Sequence, residues 1–202
     1  MATRLIAVVG GSASGKTTLA RQMVEIAGDS VASVVALDAF YLANNDKTQE
    51  ERAAINYDHP DAFDSALVCV ALQRILSGER AYIPRYDFAT HSRLSEADEV
   101  VPTDLVVVEG ILTLNFPMVA ALFDYSVFVD TPDHIRLARR IQRDVAERGR
   151  TEDGVLSQWN SSVQPMFLRY CLPMKERVSE VFSGIGWSKE DVENLLHRIN
   201  DC

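Results

Sequence analysis

Two groups of residues in this 202-residue chain have the types and spacing to handle phosphate. The first is Gly10-Gly11-Ser12-Ala13-Ser14-Gly15-Lys16-Thr17, which fits the pattern G-x-x-x-x-G-K-[ST]. It follows an apolar β-type run, Leu5–Val9, and precedes a helical pattern that starts near Lys16. In that setting the glycines let backbone N–H groups turn inward around a polyphosphate, and the helix N-terminus adds its positive end. Lys16 would then reach the β- and γ-phosphates, the Thr17 hydroxyl would hold Mg²⁺, and Thr18 would complete the cradle. The second group is basic. Arg136, Arg139, Arg140 and Arg143 recur at helical spacing, and Arg148 and Arg150 flank Gly149. Such a run can be a solvated face bridged to Asp144 and Glu147. Its closing loop, Glu147-Arg148-Gly149-Arg150, also suits a lid over a transferring phosphoryl group, which needs positioning and positive charge. The lid is the favoured reading.

Three carboxylates complete the chemistry. Asp38 follows Val34-Val35-Ala36-Leu37 and could take a proton from an incoming hydroxyl or hold metal-bound water; the bland alternative is a loop or capping acid. Glu109 ends Leu105-Val106-Val107-Val108, where phosphate-loop enzymes place an acid for Mg²⁺. Asp130, before Thr131-Pro132, reads as a cap for the next helix and is left out of the chemistry.

The elements that must position these groups alternate between strand and helix. Strands are expected at Leu5–Val9, Ser33–Leu37, Leu105–Val108 and Ser126–Val129. Helices are expected at Lys16–Ile26, Asp64–Leu76, Pro132–Glu147, about Leu156–Phe167 and Lys189–Ile199, the last capped by Ser188 with Asp191 three residues on. That alternation implies βαβ units and a parallel sheet. Ligands lie at the carboxyl ends of such strands, so the phosphate cradle and the carboxylates arrive at one edge. The fold class is therefore α/β, a phosphate-loop three-layer arrangement of one domain over residues 1–202. It carries an insert at about 39–60, a β-ribbon at about 78–102 and an arginine lid at about 133–155.

Composition narrows the partners. A formal net charge of −9 argues against a general nucleic-acid binder, which needs a basic surface. No apolar run approaches membrane-spanning length. The start Met1-Ala2-Thr3-Arg4 runs into the first strand without the pattern of a signal peptide. Cys69, Cys171 and Cys202 are odd in number and far apart, as reduced thiols of a cytoplasmic protein would be.

The order of several motifs resembles the uridine kinases (uridine–cytidine kinases). After the phosphate loop come Leu37-Asp38-Ala39-Phe40-Tyr41, then Tyr57-Asp58-His59-Pro60-Asp61-Ala62-Phe63-Asp64. Tyr86-Asp87-Phe88-Ala89-Thr90-His91-Ser92-Arg93, Glu109-Gly110-Ile111-Leu112, Arg139-Arg140 to Arg150, and Cys171-Leu172-Pro173-Met174-Lys175 follow. The similarity spans roughly residues 4–175, and its two middle motifs are not generic to phosphate-loop proteins. It implies transfer of the γ-phosphoryl of ATP, or GTP, to the 5′-hydroxyl of uridine or cytidine, with Mg²⁺, in a homo-oligomer.

By the same resemblance Asp38 is the catalytic base and, with Thr17 and Glu109, stands near the metal. Asp58 and Arg140 are ribose ligands; Tyr57, Tyr86, Phe88 and His91 form the base pocket. Arg143, Arg148 and Arg150 contact phosphate, and Gln158 lies on the substrate side. On pattern alone, Tyr86 and Phe88 would be strand packing residues and His91 a surface histidine. The sequence also departs from the family. Tyr57 stands where Phe is usual, and Ala39 follows Asp38 in place of Ser or Asp. Arg177–Phe182 is more polar than the family's apolar strand, so a weak fifth strand and an altered adenine side are expected. A kinase of another small alcohol (pantothenate or ribulose 5-phosphate) and a nucleotide-dependent switch remain as alternatives. The switch lacks a guanine-reading N-K-x-D motif after a strand.

Overall fold

The computed structural model describes residues 3–202; Met1 and Ala2, part of the segment read as lacking a signal sequence, lie outside them. Among these described residues seven strands form: β1 (Arg4–Val9), β2 (Ala32–Ala36), β3 (Ala81–Asp87), β4 (Ser92–Val100), β5 (Leu105–Gly110), β6 (Tyr125–Asp130) and β7 (Glu180–Ser183). Eight α-helices accompany them: α1 (Lys16–Ala27), α2 (Gln49–Ala53), α3 (Ser65–Leu76), α4 (Pro117–Ala120), α5 (Asp133–Arg148), α6 (Glu152–Gln158), α7 (Gln164–Met166) and α8 (Lys189–Asn200).

Five strands pair in parallel in the order β2-β5-β1-β6-β7. Alternation along β1 shows why the sheet has helices on both faces. Leu5, Ala7 and Val9 pack with Val68, Leu72 and Met174 on one side, while Ile6 and Val8 pack with Leu19, Met23, Val192 and Leu195 on the other. A strand buried on both faces must read as a continuous apolar run, and β1 and β5 do.

The weak strand at the chain's end is real but short. β7 is four residues long and pairs with β6 from Val127↔Glu180 to Asp130↔Ser183. Glu180 fastens it, accepting hydrogen bonds from Tyr125 Oη at 3.0 Å and from Arg198 of α8. Helix α8 begins as expected, with a reciprocal capping box between Ser188 and Asp191.

Two expectations need correction. Asp130 caps no helix: α5 starts after Pro132 with no side-chain cap, and Asp130 Oδ2 instead accepts from Lys175 Nζ at 2.8 Å. The helix expected over about Leu156–Phe167 is longer and irregular. Helical backbone continues from α6 through π-helical turns at Trp159–Val163 and Phe167–Cys171, either side of α7, to a 3₁₀ turn at Leu172–Glu176. Pro165 and Pro173 have no N–H for the i→i−4 ladder, so wider and tighter turns take over beside them.

The ribbon of β3 and β4 stands apart from the main sheet. Its register shifts between Pro84 and Tyr86, a bulge that precedes the inward-facing Tyr86. The turn that follows is closed by Asp87, whose carboxylate accepts from Ala89 N at 2.9 Å and Thr90 Oγ1 at 2.6 Å. The 39–60 insert packs onto this turn. Asn45 and Arg52 donate to the Arg93 and Thr90 carbonyls, and Arg93 reaches back to the Tyr41 carbonyl at 2.6 Å.

Candidate active site

The carboxyl ends of the parallel strands carry the phosphate loop. Gly15 ends it at φ 99°, a left-handed conformation that favours glycine, and serves as the N-cap of α1. Lys16 is buried beside Glu109, Nζ to Oε2 3.9 Å, and the Thr17 hydroxyl donates to Glu109 Oε1 at 2.9 Å. Burial pushes the Glu109 carboxyl above its ordinary range, against the pull of Lys16. Asp38 lies in a 3₁₀ turn (Leu37–Phe40) directly after β2, where Ala36 pairs with Glu109. Its Oδ1 is buried without a hydrogen-bond partner. An orphaned carboxylate oxygen beside Thr17 and Glu109 fits Mg²⁺, which binds through one or two carboxylates together with substrate phosphates. Among the described residues no cluster of three or more His, Cys, Asp or Glu side chains could hold a metal without such help.

Next to the phosphate loop a cavity gathers side chains from six parts of the chain. Lys16, Asp38, Tyr57, Asp58, Tyr86, Phe88, His91, Arg140, Arg143, Arg148, Arg150 and Gln158 all line it. Every residue assigned by resemblance to substrate, base or lid therefore faces one space. One wall is aromatic. Tyr57 and His91 are stacked, ring centres 4.8 Å apart at 11°, and Tyr86 lies 6.2 Å from Tyr57 and 5.3 Å from Phe88. The Tyr57 and Tyr86 hydroxyls are buried and unpartnered, and burial raises the Tyr86 phenol far above its usual range. His91 sits at the ribbon turn with φ 52°. Burial, then Arg150 and Arg148, lower its pKa, so the ring is neutral near pH 7. Phe88 lies at the mouth, half-exposed, with the Arg148 guanidinium 5.5 Å from its ring centre.

The opposite wall is charged. Burial raises the Asp58 carboxyl while Arg140 opposes that shift. Arg140 donates to Ser12 Oγ at 2.6 Å and to Gln158 Oε1 at 2.9 Å, tying the phosphate loop to α6. Arg150 donates to the same Gln158 oxygen.

The arginines prove to be two sets. Arg140, Arg143, Arg148 and Arg150 converge on the fully buried Asp144, whose Oδ1 lies 2.8 Å from both Arg143 Nε and Arg143 Nη2. One carboxylate against four guanidiniums leaves a positive excess beside the cavity. Arg136 departs from the lid reading. It is buried under Gly11, pairs with Asp133 and Gln164, and lies 3.8 Å over the Phe167 ring. Its work is to support the loop from below.

Several contributors had no role assigned from sequence. Asp144 was weighed only as a surface partner, although arginines at i−4, i−1, i+4 and i+6 mark it as a hub. Tyr41 lines the cavity 5.0 Å from Tyr57, and Arg139 donates to the Gly184 carbonyl at 3.0 Å. Both stand in motifs named from the sequence, but these particular contacts depend on partners far along the chain.

The family model described as Phosphoribulokinase / Uridine kinase family matches residues 5–188. The chain belongs to that family. A protein named uridine kinase from Shewanella baltica (strain OS185) is 42% identical over 199 residues, covering 96% of this chain and 94% of that one. A uridine kinase of Ligilactobacillus salivarius (strain UCC118) is 38% identical over 197 residues, 98% and 92% of the two chains. Among solved structures, phosphoribulokinase from Rhodobacter spheroides superposes with a TM-score of 0.67 at 18% identity, over 90% of this chain and 70% of that one. D-glycerate 3-kinase from Cryptococcus neoformans gives 0.63 at 19% identity, over 92% and 89%. At these identities the structural likeness concerns the fold alone. No helix among the described residues is long and apolar enough to cross a membrane.

Proposed function

We propose that this protein transfers the γ-phosphoryl group of ATP, or GTP, to the 5′-hydroxyl of uridine or cytidine. The observation that carries this reading is the single cavity in which Lys16 and Asp38 face Asp58, Arg140 and the Tyr57–Tyr86–His91 wall. A flat base fits a wall of rings, a ribose offers hydroxyls to a carboxylate, and the acceptor oxygen then falls between Asp38 and the phosphate loop. Ribulose 5-phosphate has no flat face for the aromatic wall, and a switch protein has no use for an acceptor pocket. The uridine kinases about 40% identical over nearly the whole chain point the same way.

In this reading Asp38 accepts the hydroxyl proton as the oxygen attacks in line. Lys16, Arg143, Arg148 and Arg150 meet the charge that spreads over the γ-phosphoryl oxygens. Thr17 and Glu109, with Asp38 nearby, would hold Mg²⁺, which would supply positive charge against the phosphates. A homo-oligomer is the expected form by family resemblance.

Asp58 gives a direct test of the ribose reading. If its carboxylate accepts from the ribose hydroxyls, deoxyuridine leaves a charged acceptor short of a partner. Charged hydrogen bonds contribute about 1.5–3 kcal/mol, so kcat/KM for deoxyuridine should fall about ten- to a hundred-fold below that for uridine. Equal efficiency with both removes Asp58 from this role.

Base selection follows from the aromatic wall. Uracil and cytosine exchange donor and acceptor at the ring edge. A neutral histidine carries one of each, with its tautomer free to follow the ligand, and a phenol does likewise. Uridine and cytidine should therefore react within about tenfold of each other, whereas adenosine's second ring meets Tyr57 and Phe88. His91→Ala should raise KM for both pyrimidines with little change in kcat, since base contacts are equal in ground and transition states. Because burial and then Arg150 and Arg148 lower the His91 pKa, its contribution should stay constant from about pH 7.5 upward, a pH unit above the ordinary histidine value, where the neutral ring predominates. A preference for adenosine, or an unchanged KM in His91→Ala, would count against the pocket.

A further inference from the structure

Asp38 stands in a turn of only four residues, Leu37–Phe40. A 3₁₀ turn that short has little hydrogen bonding of its own, so contacts from elsewhere must fix where it lies. The side chains of Leu37 and Phe40 anchor it in the core. Its remaining attachments are made at the carbonyls of Phe40 and Tyr41, just after Asp38. The Phe40 carbonyl accepts from the Asp64 N–H at 2.8 Å. The other donor to this stretch is Arg93, on β4 of the ribbon.

The Arg93 guanidinium joins three segments. Its Nη2 donates to the Tyr41 carbonyl at 2.6 Å and lies 3.4 Å from the Phe40 carbonyl, while Nη1 lies 3.4 Å from Asp64 Oδ2. Asp64 is itself held in place. It caps α3, its Oδ1 accepting from Leu67 N at 3.1 Å, and α3 packs into the core through Val68 and Leu72. Across the ribbon Arg93 pairs with Tyr86, whose ring lies 5.2 Å from that of Tyr41. The side chain is only 17% exposed, so water competes little for these contacts. A planar fork of fixed donors suits the place, because a carboxylate stands on one side and backbone carbonyls on the other. Arg93 does not line the nucleoside cavity; it reaches the chemistry only through the turn.

We propose that Arg93 is a positioning residue for Asp38. Carried on the ribbon and steadied by Asp64, it holds the turn after β2 where the Asp38 carboxylate meets the acceptor hydroxyl. The proposal rests on the reading of Asp38 as the base and adds the residue that sets its place. Proton transfer to a base needs heavy atoms within about 2.6–3.2 Å of each other. A misplacement of about 1 Å can cost on the order of 10²-fold in rate, even when its cause lies away from the reacting atoms. Without Arg93 the Tyr41 carbonyl loses its donor, and the turn keeps only the Asp64 N–H and its two core side chains.

Single-turnover phosphorylation of uridine with MgATP tests this in a double-mutant cycle with Asp38→Asn. Arg93→Ala should lower the rate about tenfold while the uridine Kd stays within about threefold of wild type. In the Asp38→Asn background the same change should lower the rate by less than about twofold, because a base that is absent cannot be misplaced. Arg93→Lys keeps a charge beside Asp64, and with it the fold, but loses the fork; it should lower the rate about threefold or more, again only when Asp38 is present. That variant decides the matter if Arg93→Ala does not fold. An unchanged rate overturns the proposal, as does a loss confined to uridine affinity. So does an equal loss in both backgrounds, which would make Arg93 a general prop for the ribbon. A near-normal rate in Asp38→Asn alone would instead overturn the base reading, and the role of Arg93 with it. No transfer to uridine by the wild-type protein would overturn the proposed function itself.

Discussion

Asp38→Asn is expected to lower kcat by about 10²-fold or more while uridine still binds with near wild-type affinity. The substitution keeps the shape of the side chain and its place in the turn after β2, but an amide cannot take the proton of the acceptor hydroxyl. Asp38 is the suitable candidate because one of its oxygens is buried with no partner inside the cavity that also holds Lys16. Glu109, the nearest competitor, already has Thr17 and Lys16 on its oxygens. Steady-state kinetics with uridine, alongside calorimetric binding of uridine, separates the two effects. Near-normal kcat in the variant would reject the base assignment. A loss confined to nucleoside affinity would turn Asp38 into a binding residue.

Asp144→Ala should produce the largest loss of stability among the site residues. Its carboxylate is fully buried and is the counter-charge shared by Arg140, Arg143, Arg148 and Arg150. Removing one partner of a buried ion pair costs about 3–5 kcal/mol, because the remaining charge is left uncompensated. The lower end applies here, since Arg143, Arg148 and Arg150 still reach solvent, with side-chain exposures of 29%, 33% and 26%. For a chain of this length, about 3 kcal/mol corresponds to a fall in Tm of roughly 6–12 °C. Sulfate, an anion able to stand between the arginines, should restore part of that loss in the variant. Thermal unfolding with and without sulfate measures both. A Tm within about 2 °C of wild type would show that the arginines repel one another too weakly to need Asp144.

The two substitutions probe different relations between charge and structure. Asp38 has a buried carboxylate oxygen without a hydrogen-bond partner. Asp144 is a fully engaged acid, and its engagement sets the arginines around the space where phosphate would lie. The first should change rate at little cost to stability, and the second should change stability before rate.

Much of this arrangement could be read directly from residue order. The phosphate loop, the four core strands and the delivery of Asp38 and Glu109 to one edge all follow from local rules. Apolar runs of strand length alternate with helical spacing, and parallel strands put their carboxyl ends together. The capping box at Ser188 and Asp191 is likewise a short-range feature, and it forms where the spacing predicts. Many of the residues that line the cavity beside the phosphate loop were legible only through the family resemblance, whose motifs at residues 57–64, 86–93 and 139–150 are distinctive as strings.

Tertiary structure decided what depends on partners distant in sequence. Nothing local distinguishes Arg136 from Arg140 on the same helix, yet one is buried against Phe167 and the other bonds Ser12 in the cavity wall. Lys175, 45 residues along the chain, takes Asp130 away from the helix it precedes. Trp187 meets Gln22 across 165 residues, a contact made possible by β7 joining β6 at the sheet edge. Asp144 reads as an ordinary surface acid until its helix packs, when four guanidiniums and loss of water turn it into the centre of the arginine cluster. Local pattern determines which residues share an edge or a face. Which of them touch, and which lose their solvent, is settled only when the elements pack, because burial and long-range pairing are properties of the assembled layers.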